Sequence, residues 1–291
     1  MLGGVAPQIC SLRGVMKIKF LGTAAYEGVP SPFCKCRVCE QSKRLGGRNI
    51  RSRAQALVND DLLLDFNADT VGHYQRYAFD WQKITDCLIT HSHCDHLYAD
   101  DVGIAAADFT HEHTPMRFYA AEDGYGRLRE FTDLPASGAS ATLVLPYARF
   151  TACDGRYTVL PLPANHDKRS SPVFYSITER SSGKRLLYAH DTGVFEDGVW
   201  SALREEGRFD LISLDCTGCL GLNGVWREGH MSLGSDLEIA ERMRRDGLID
   251  EKTLIVLNHF SHNGGQTYDE TAEVAEKQGV IVSYDGLELE F

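Results

Sequence analysis

The densest chemistry in the chain lies in six residues, His91-Ser92-His93-Cys94-Asp95-His96, which follow an apolar stretch ending at Thr90. Imidazole and carboxylate together form a donor set that suits Zn, Mn or Fe. A turn leaving a strand can aim His91 and His93 at one ion. Asp95 and His96 can then face a second, about 3.5–4 Å away in two-metal sites. With 11 histidines in 291 residues, three in six positions is poor chance spacing for a solvated turn. Hydroxide between two such cations is a nucleophile at neutral pH, because the metals lower the pKa of bound water towards about 7.

A second cluster is Cys34-Lys35-Cys36-Arg37-Val38-Cys39. Thiolates at this spacing can supply three ligands to a tetrahedral Zn, closed by a fourth Cys or His, and a closed four-ligand site is structural. The plain alternative is a loop of free thiols. Nine cysteines is an odd count, and Met1 to Val15 lacks the apolar core of a signal peptide. The spacing therefore reads as metal binding or free thiols rather than a disulfide framework, in a cytoplasmic protein.

These residues need elements to hold them. Residues 17–21 read as a strand, and 54–59 with 62–66 as a hairpin around Asp60-Asp61. Strands are expected at 86–90, 117–120, 157–163, 173–178, 185–189, 209–214 and 253–258, with a last one at 280–284. Helices are expected at 97–108, 194–206, 233–245 and 268–278, the third from the spacing of Leu237, Ala240 and Met243. Polar residues fall at strand ends: Thr90-His91, Asn165-His166, His190-Asp191, Asp215-Cys216 and Asn258-His259. Such a pattern places a site along one edge of stacked sheets, on loops held by a rigid scaffold.

The balance of 30 basic and 41 acidic residues gives a net charge of −11, which argues against a duplex nucleic-acid binder. No apolar run is long enough for a membrane span. At 43% hydrophobic residues the chain is globular, with one domain expected over 16–291 and residues 1–15 as an N-terminal extension. A homodimer is admitted by the sequence but not read from it.

The run His91-x-His93-x-Asp95-His96 resembles the metal signature of the metallo-β-lactamase superfamily. Over residues 16–291 the resemblance implies an α/β fold, a four-layer αββα sandwich. It implies that His91, His93 and His166 hold one ion, that Asp95, His96 and His259 hold the other, and that Asp191 bridges them. Asp95 would also orient the attacking hydroxide. His190 lies one position off the pattern and is expected to support a neighbouring ligand or to be structural.

The segment Leu21 to Pro30, the C-x-C-x-x-C run and the Arg-rich stretch after it resemble the phosphodiesterases of the carbon–phosphorus lyase pathway. A related branch contains an accessory protein of pyrroloquinoline quinone biosynthesis. In the phosphodiesterase branch the structural Zn is closed by a His three residues after the last active-site His, here His262; Cys216 and Cys219 are the competing ligands. A His corresponding to His230 binds phosphate and assists the leaving group. The resemblance thus implies two catalytic Mn or Zn ions, one structural Zn and a small phosphodiester substrate, a cyclic phosphate or nucleotide-like ester. The alternatives are a carbonyl-directed hydrolase of the lactonase or thioesterase type, or a non-catalytic accessory protein, which the full ligand set disfavours. No basic, Gly-rich insertion supports a tRNA-processing arm. Lys43, Arg44, Arg48, Arg51 and Arg53 read as a solvated stretch, His111-Glu112-His113 as a polar loop, and Cys94 as a non-ligand.

Overall fold

The computed structural model describes residues 14–112, 115–224 and 227–291. Most of the expected N-terminal extension, residues 1–13, lies outside these, as does His113. Two seven-stranded sheets face each other. The first contains β1 (Lys17–Gly22), β2 (Gln55–Val58), β3 (Leu62–Leu64), β4 (Asp86–Leu88), β5 (Met116–Ala120) and β6 (Ala139–Leu143) in chain order. Its far edge beside β1 is β14 (Glu288–Glu290). The second runs β7 (Phe150–Ala152), β8 (Tyr157–Pro163), β9 (Val173–Glu179), β10 (Arg185–Ala189), β11 (Leu211–Asp215), β12 (Leu254–Asn258) and β13 (Ile281–Val282).

Side chains alternate across each pleat, so each sheet is apolar on both faces. Ile18, Phe20, Ala56, Val58, Leu62 and Leu64 meet Tyr157, Val159, Tyr175, Ile177 and Tyr188 between the sheets. Leu57, Leu63, Cys87, Ile89 and Phe118 point the other way, towards α3 (Glu122–Thr132) through Leu128. The second sheet buries its outer face under α4 (Asp197–Glu206), α5 (Leu233–Arg245) and α6 (Tyr268–Glu276). The α5 stripe of Ile239, Ala240 and Met243 is fully buried, as helical spacing requires. The result is the expected αββα sandwich. Met16 and Phe291 exchange backbone hydrogen bonds of 3.1 and 3.0 Å, extending the antiparallel pairing of β1 with β14 at one edge of the first sheet.

Three expectations need correction. The helix over 97–108 is a 3₁₀ turn confined to Ala99–Ala105. Phe66 N donates to His96 O and Tyr98 N to Phe66 O, at 2.8 and 2.7 Å, so residues 96–98 are already committed to a bridge. The strand over 280–284 shrinks to Ile281–Val282 and is not the last, because the alternating Leu287-Glu288-Leu289-Glu290 adds β14 to the other sheet. Finally, the Cys run is not all loop: it crosses the start of α1 (Arg37–Leu45), with Cys36 at the N-cap and Cys39 in the first turn. Helix α2 (Thr70–Tyr77) and α3 were also unforeseen.

Candidate metal centres

Strand β4 ends just before Ile89, and residues 90–96 turn back across its end. Strands β10, β11 and β12 are parallel and in register, with Ala189 beside Leu214 and Asp215 beside Asn258. Asp191, Asp215 and His259 therefore emerge side by side. His166 follows β8. The structure thus brings His91, His93 and His166 into one group, and Asp95, His96, Asp191 and His259 into another.

The nitrogens converge tightly. His91 Nε2 is 3.0 Å from His93 Nδ1, which is 3.3 Å from His166 Nε2. His96 Nε2 and His259 Nε2 are 3.3 Å apart. Tetrahedral ligation at about 2.0–2.1 Å per Zn–N bond separates neighbouring nitrogens by about 3.3 Å. Asp191 lies between the groups. Its Oδ1 is 3.5 Å from His166 Nε2, while Oδ2 is 2.5 Å from His96 Nε2 and 2.8 Å from His259 Nε2. Buried Oδ2 accepts no hydrogen bond of proper geometry despite these approaches. It is close to both nitrogens but not aligned with either, as donors aimed at a shared centre are.

The outer ring nitrogens set the tautomers. Asp65 Oδ2 accepts from His96 Nδ1 at 2.7 Å. Gly229 O accepts from His166 Nδ1 at 2.9 Å. Thr90 Oγ1 donates to Asp65 Oδ1 at 2.9 Å, so it accepts from His91 Nδ1 at 3.1 Å. Thr217 Oγ1 donates to His259 O at 2.8 Å and accepts from His259 Nδ1 at 2.8 Å. These four imidazoles therefore present Nε2 inward. His93 is reversed, with Nε2 3.5 Å from Asp167 Oδ2 and Nδ1 inward. Asp65 and Asp167 carry no motif signal in the sequence, and Thr90 is marked only as a polar residue at a strand end. Thr217 lies in the Asp215-Cys216-Thr217 tripeptide at a strand end.

Electrostatics also favour cations here. Burial opposes charge on Asp95 and Asp191, yet the facing imidazoles hold both carboxyls well below the usual range. Burial likewise opposes charge on His96 and His259, but Asp191 outweighs it and raises both, His259 to about 10. Buried acids this close together require positive charge among them, and divalent cations would supply it. The residues fit two such ions.

His230 stands at the rim of the same cleft. Its Nδ1 is 3.1 Å from Asp215 Oδ2 and 3.7 Å from Asp191 Oδ1. Burial works against its charge, but Asp215 raises its pKa. The cleft encloses about 580 Å³ and includes Tyr26, Glu27, Cys94, Arg127 and Asn263 in its walls. Gly193, two residues past Asp191, is required by close approach: a Cβ there would meet Arg227 O at 2.2 Å.

The cysteine cluster forms a third centre. Cys34, Cys36, Cys39 and His262 place their ligand atoms within 4.8 Å of one another. Cys34 Sγ and Cys36 Sγ lie 3.7 and 3.5 Å from His262 Nδ1. A tetrahedral Zn, with Zn–S of about 2.3 Å and Zn–N of about 2.0–2.1 Å, puts S and N about 3.6 Å apart. Burial works against ionising Cys36, yet hydrogen bonds from the Cys39 backbone and Cys34 lower it to about 7. Burial raises Cys39 to about 12, a proton that zinc would displace. Cys216 and Cys219, the competing ligands, are buried in the apolar core instead.

The discounted features have structural partners. Arg51 is buried 4.1 Å from the Phe260 ring, Arg48 lies 4.1 Å from that of Tyr284, and Arg53 pairs with Asp69 at 2.9 Å. The stretch is therefore less solvated than its composition implies. His190 is fully buried against Ser213 Oγ at 2.8 Å, and Cys94 is exposed.

A family model for the beta-lactamase superfamily domain matches residues 63–260. No curated protein sequence matches the chain. Among solved structures, a diphosphatase of the PhnP family aligns with a TM-score of 0.73 at 21% identity, over 96% of this chain and 98% of that one. Zinc-bound PqqB from Methylobacterium extorquens aligns at 0.71 and 20%, over 94% and 99%. The short form of human tRNase Z aligns at 0.61 and 18%, over 94% and 98%. At these identities the likeness is one of fold.

Proposed function

The chain belongs to the beta-lactamase superfamily and is a metallohydrolase of that fold, and we propose that the bonds it cleaves are those of small phosphodiesters. The two-ion part of this reading is carried by the split carboxylate of Asp191, one oxygen turned to His166 and the other to His96 and His259, and the choice of phosphodiesters by the Cys34, Cys36, Cys39 and His262 cluster. His91, His93 and His166 would hold one divalent ion, Asp95, His96 and His259 the other, with Asp191 between them. The donor set accommodates Mn and Zn alike. When bound, such ions supply Lewis acidity towards a phosphoryl oxygen and lower the pKa of a coordinated water.

The chain's own groups complete the site. Ionised Asp95 accepts a hydrogen bond from the attacking water and orients it. His230, with Nδ1 held by Asp215, would donate a proton from Nε2 to the departing oxygen, because an alkoxide leaves poorly without one. Thr217 and Asp65 fix the imidazoles that face the reaction.

Support for the phosphodiester branch comes from Cys34, Cys36, Cys39 and His262 as ligands of one structural Zn. His262 stands three residues after His259, and Phe260 N donates to Thr23 O at 2.9 Å. Zinc there would clamp the Cys loop to the strand end that carries His259. The catalytic unit is read as residues 16–291. The described cysteines are all free, which fits a reducing compartment such as the cytoplasm. No described helix is long and apolar enough to cross a membrane.

The test is hydrolysis of bis(p-nitrophenyl) phosphate by Mn-loaded protein, beside p-nitrophenyl phosphate. Fast diester and slow monoester cleavage is expected, with Asp191→Ala losing both metals and the activity. No cleavage of either with both metals bound, together with cleavage of a lactone or thioester, would replace the reading with a carbonyl-directed hydrolase.

A further inference from the structure

The segment Ala25–Gly28 is a tight turn closed by Gly28 N donating to Ala25 O at 3.0 Å. Its two central residues, Tyr26 and Glu27, both line the cleft above the metal-binding side chains. The turn is fixed from several directions. Ala25 N donates to Phe260 O at 2.9 Å, beside His259, and Val29 and Arg51 exchange backbone hydrogen bonds of 3.0 and 2.7 Å. Arg53 Nε donates to Tyr26 O at 2.8 Å. The Arg53 guanidinium also lies 5.9 Å from the Tyr26 ring centroid, and Asp69 holds it there at 2.9 Å.

Tyr26 nevertheless remains 58% exposed. An aromatic ring on an immobilised turn, backed by a cation and open towards a cleft, contributes little to the core. It is a ready stacking surface. Glu27 is held as well, its Oε1 accepting from Ser261 Oγ at 2.5 Å and lying 3.5 Å from Nε2 of His262. Its Oε2 can accept a hydrogen bond from an N–H or O–H of a group bound in the cleft. The chemistry assigned to the metal centre uses neither residue.

We propose that the Tyr26–Glu27 turn is a subsite for a nucleobase joined to the phosphate that the metal floor receives. This rests on the phosphodiester reading and narrows it to diesters bearing a planar, hydrogen-bond-donating ring. A cleft of about 580 Å³ has room for a nucleotide. Every base offers a π face, so stacking gives affinity with little sequence preference, and Glu27 adds preference for bases with a donor edge.

Calorimetric binding of uridine 5′-monophosphate and ribose 5-phosphate to the metal-loaded full chain tests this. The two ligands share sugar and phosphate and differ in the base. The native protein should favour the nucleotide by about tenfold or more, as expected for one stacked base. Tyr26→Ala should remove most of that preference, chiefly by weakening the nucleotide, and Tyr26→Phe should restore it. Equal binding of both ligands by the native protein overturns the base subsite and leaves the phosphate reading standing. Equal weakening of both by Tyr26→Ala also overturns it. If neither ligand binds while the metals are in place, the phosphate-ester reading itself falls and takes the subsite with it.

Discussion

Replacing Asp65 by Asn asks whether the imidazole at the heart of the site is held by a charge. Asp65 is fully buried. Its Oδ1 accepts from Thr90 N and Thr90 Oγ1 at 2.8 and 2.9 Å, and its Oδ2 faces His96 Nδ1 at 2.7 Å. Asparagine keeps the shape but offers one acceptor and one donor. With its oxygen towards Thr90, the amide N–H meets the His96 N–H head on. Flipped, it meets the Thr90 N–H instead. Either way one buried hydrogen bond to a charged group is lost, about 1.5–3 kcal/mol. Expressed as metal affinity this is about 10–100-fold, the usual cost of removing the partner of a ligating imidazole. The loss should fall on the ion held by Asp95, His96 and His259. Competition with chelators of graded strength would follow each ion, with circular dichroism confirming the fold. Affinities unchanged to within about twofold would refute the role given to Asp65. Zinc lost first from the Cys34–His262 centre would show general loosening rather than a local effect.

Cys36→Ser should release the structural zinc before it slows chemistry, and a loss of about 2 kcal/mol would lower Tm by about 3 °C. An unchanged zinc content and melting point would remove that centre. His230→Gln should slow a diester with an alkyl leaving group by about 100-fold or more. The effect on bis(p-nitrophenyl) phosphate should be smaller, because p-nitrophenolate leaves without a proton; equal losses would make His230 a binding group only. His73, which is not among the proposed metal ligands, supplies a pH test. Burial lowers it from 6.5 to about 4, between Ser52 Oγ at 2.7 Å and Gln55 Oε1 at 2.6 Å. The unfolded chain takes up this proton first. Stability is therefore complete above pH 6.5 and falls as pH drops towards 4, by up to about 3 kcal/mol. His73→Gln should flatten that part of the urea-midpoint profile, and an identical slope in the variant would exclude His73 as its source.

The parts of the site that could be read from the sequence are those written contiguously or at strand ends. His91 to His96 announces itself because four donors share one turn, whereas His262 is reached only through the family resemblance, which implies a ligand three residues after His259. Asp65, Asp167 and Gly229 could not be read that way, since each is an ordinary residue that becomes a partner only when a distant segment arrives. Gly229 meets His166 across 63 residues, and Asp65 meets His96 across 31. The misread helix at 97–108 has the same origin. Its apolar positions, Leu97, Ala99 and Val102, are buried as a helix would bury them, but the bridge to Phe66 takes the backbone first.

Convergence itself is a property of the sheets. Parallel register across β10, β11 and β12 lines up the strand ends, so residues distant in sequence emerge within bonding range of one centre. The backbone then bends the side chains inward: Asp65, Asp191 and His259 all adopt the left-handed region, at φ of 67°, 49° and 62°. Non-glycine residues held there cost about 1–3 kcal/mol each. Three such residues in one site, beside a buried Asp191 Oδ2 without a hydrogen bond, persist only because two packed sheets over-determine the strand ends. A donor set assembled at that cost is complementary to cations before they bind. That is why a change at Asp65, which touches no ion, is expected to register as metal affinity rather than as lost fold.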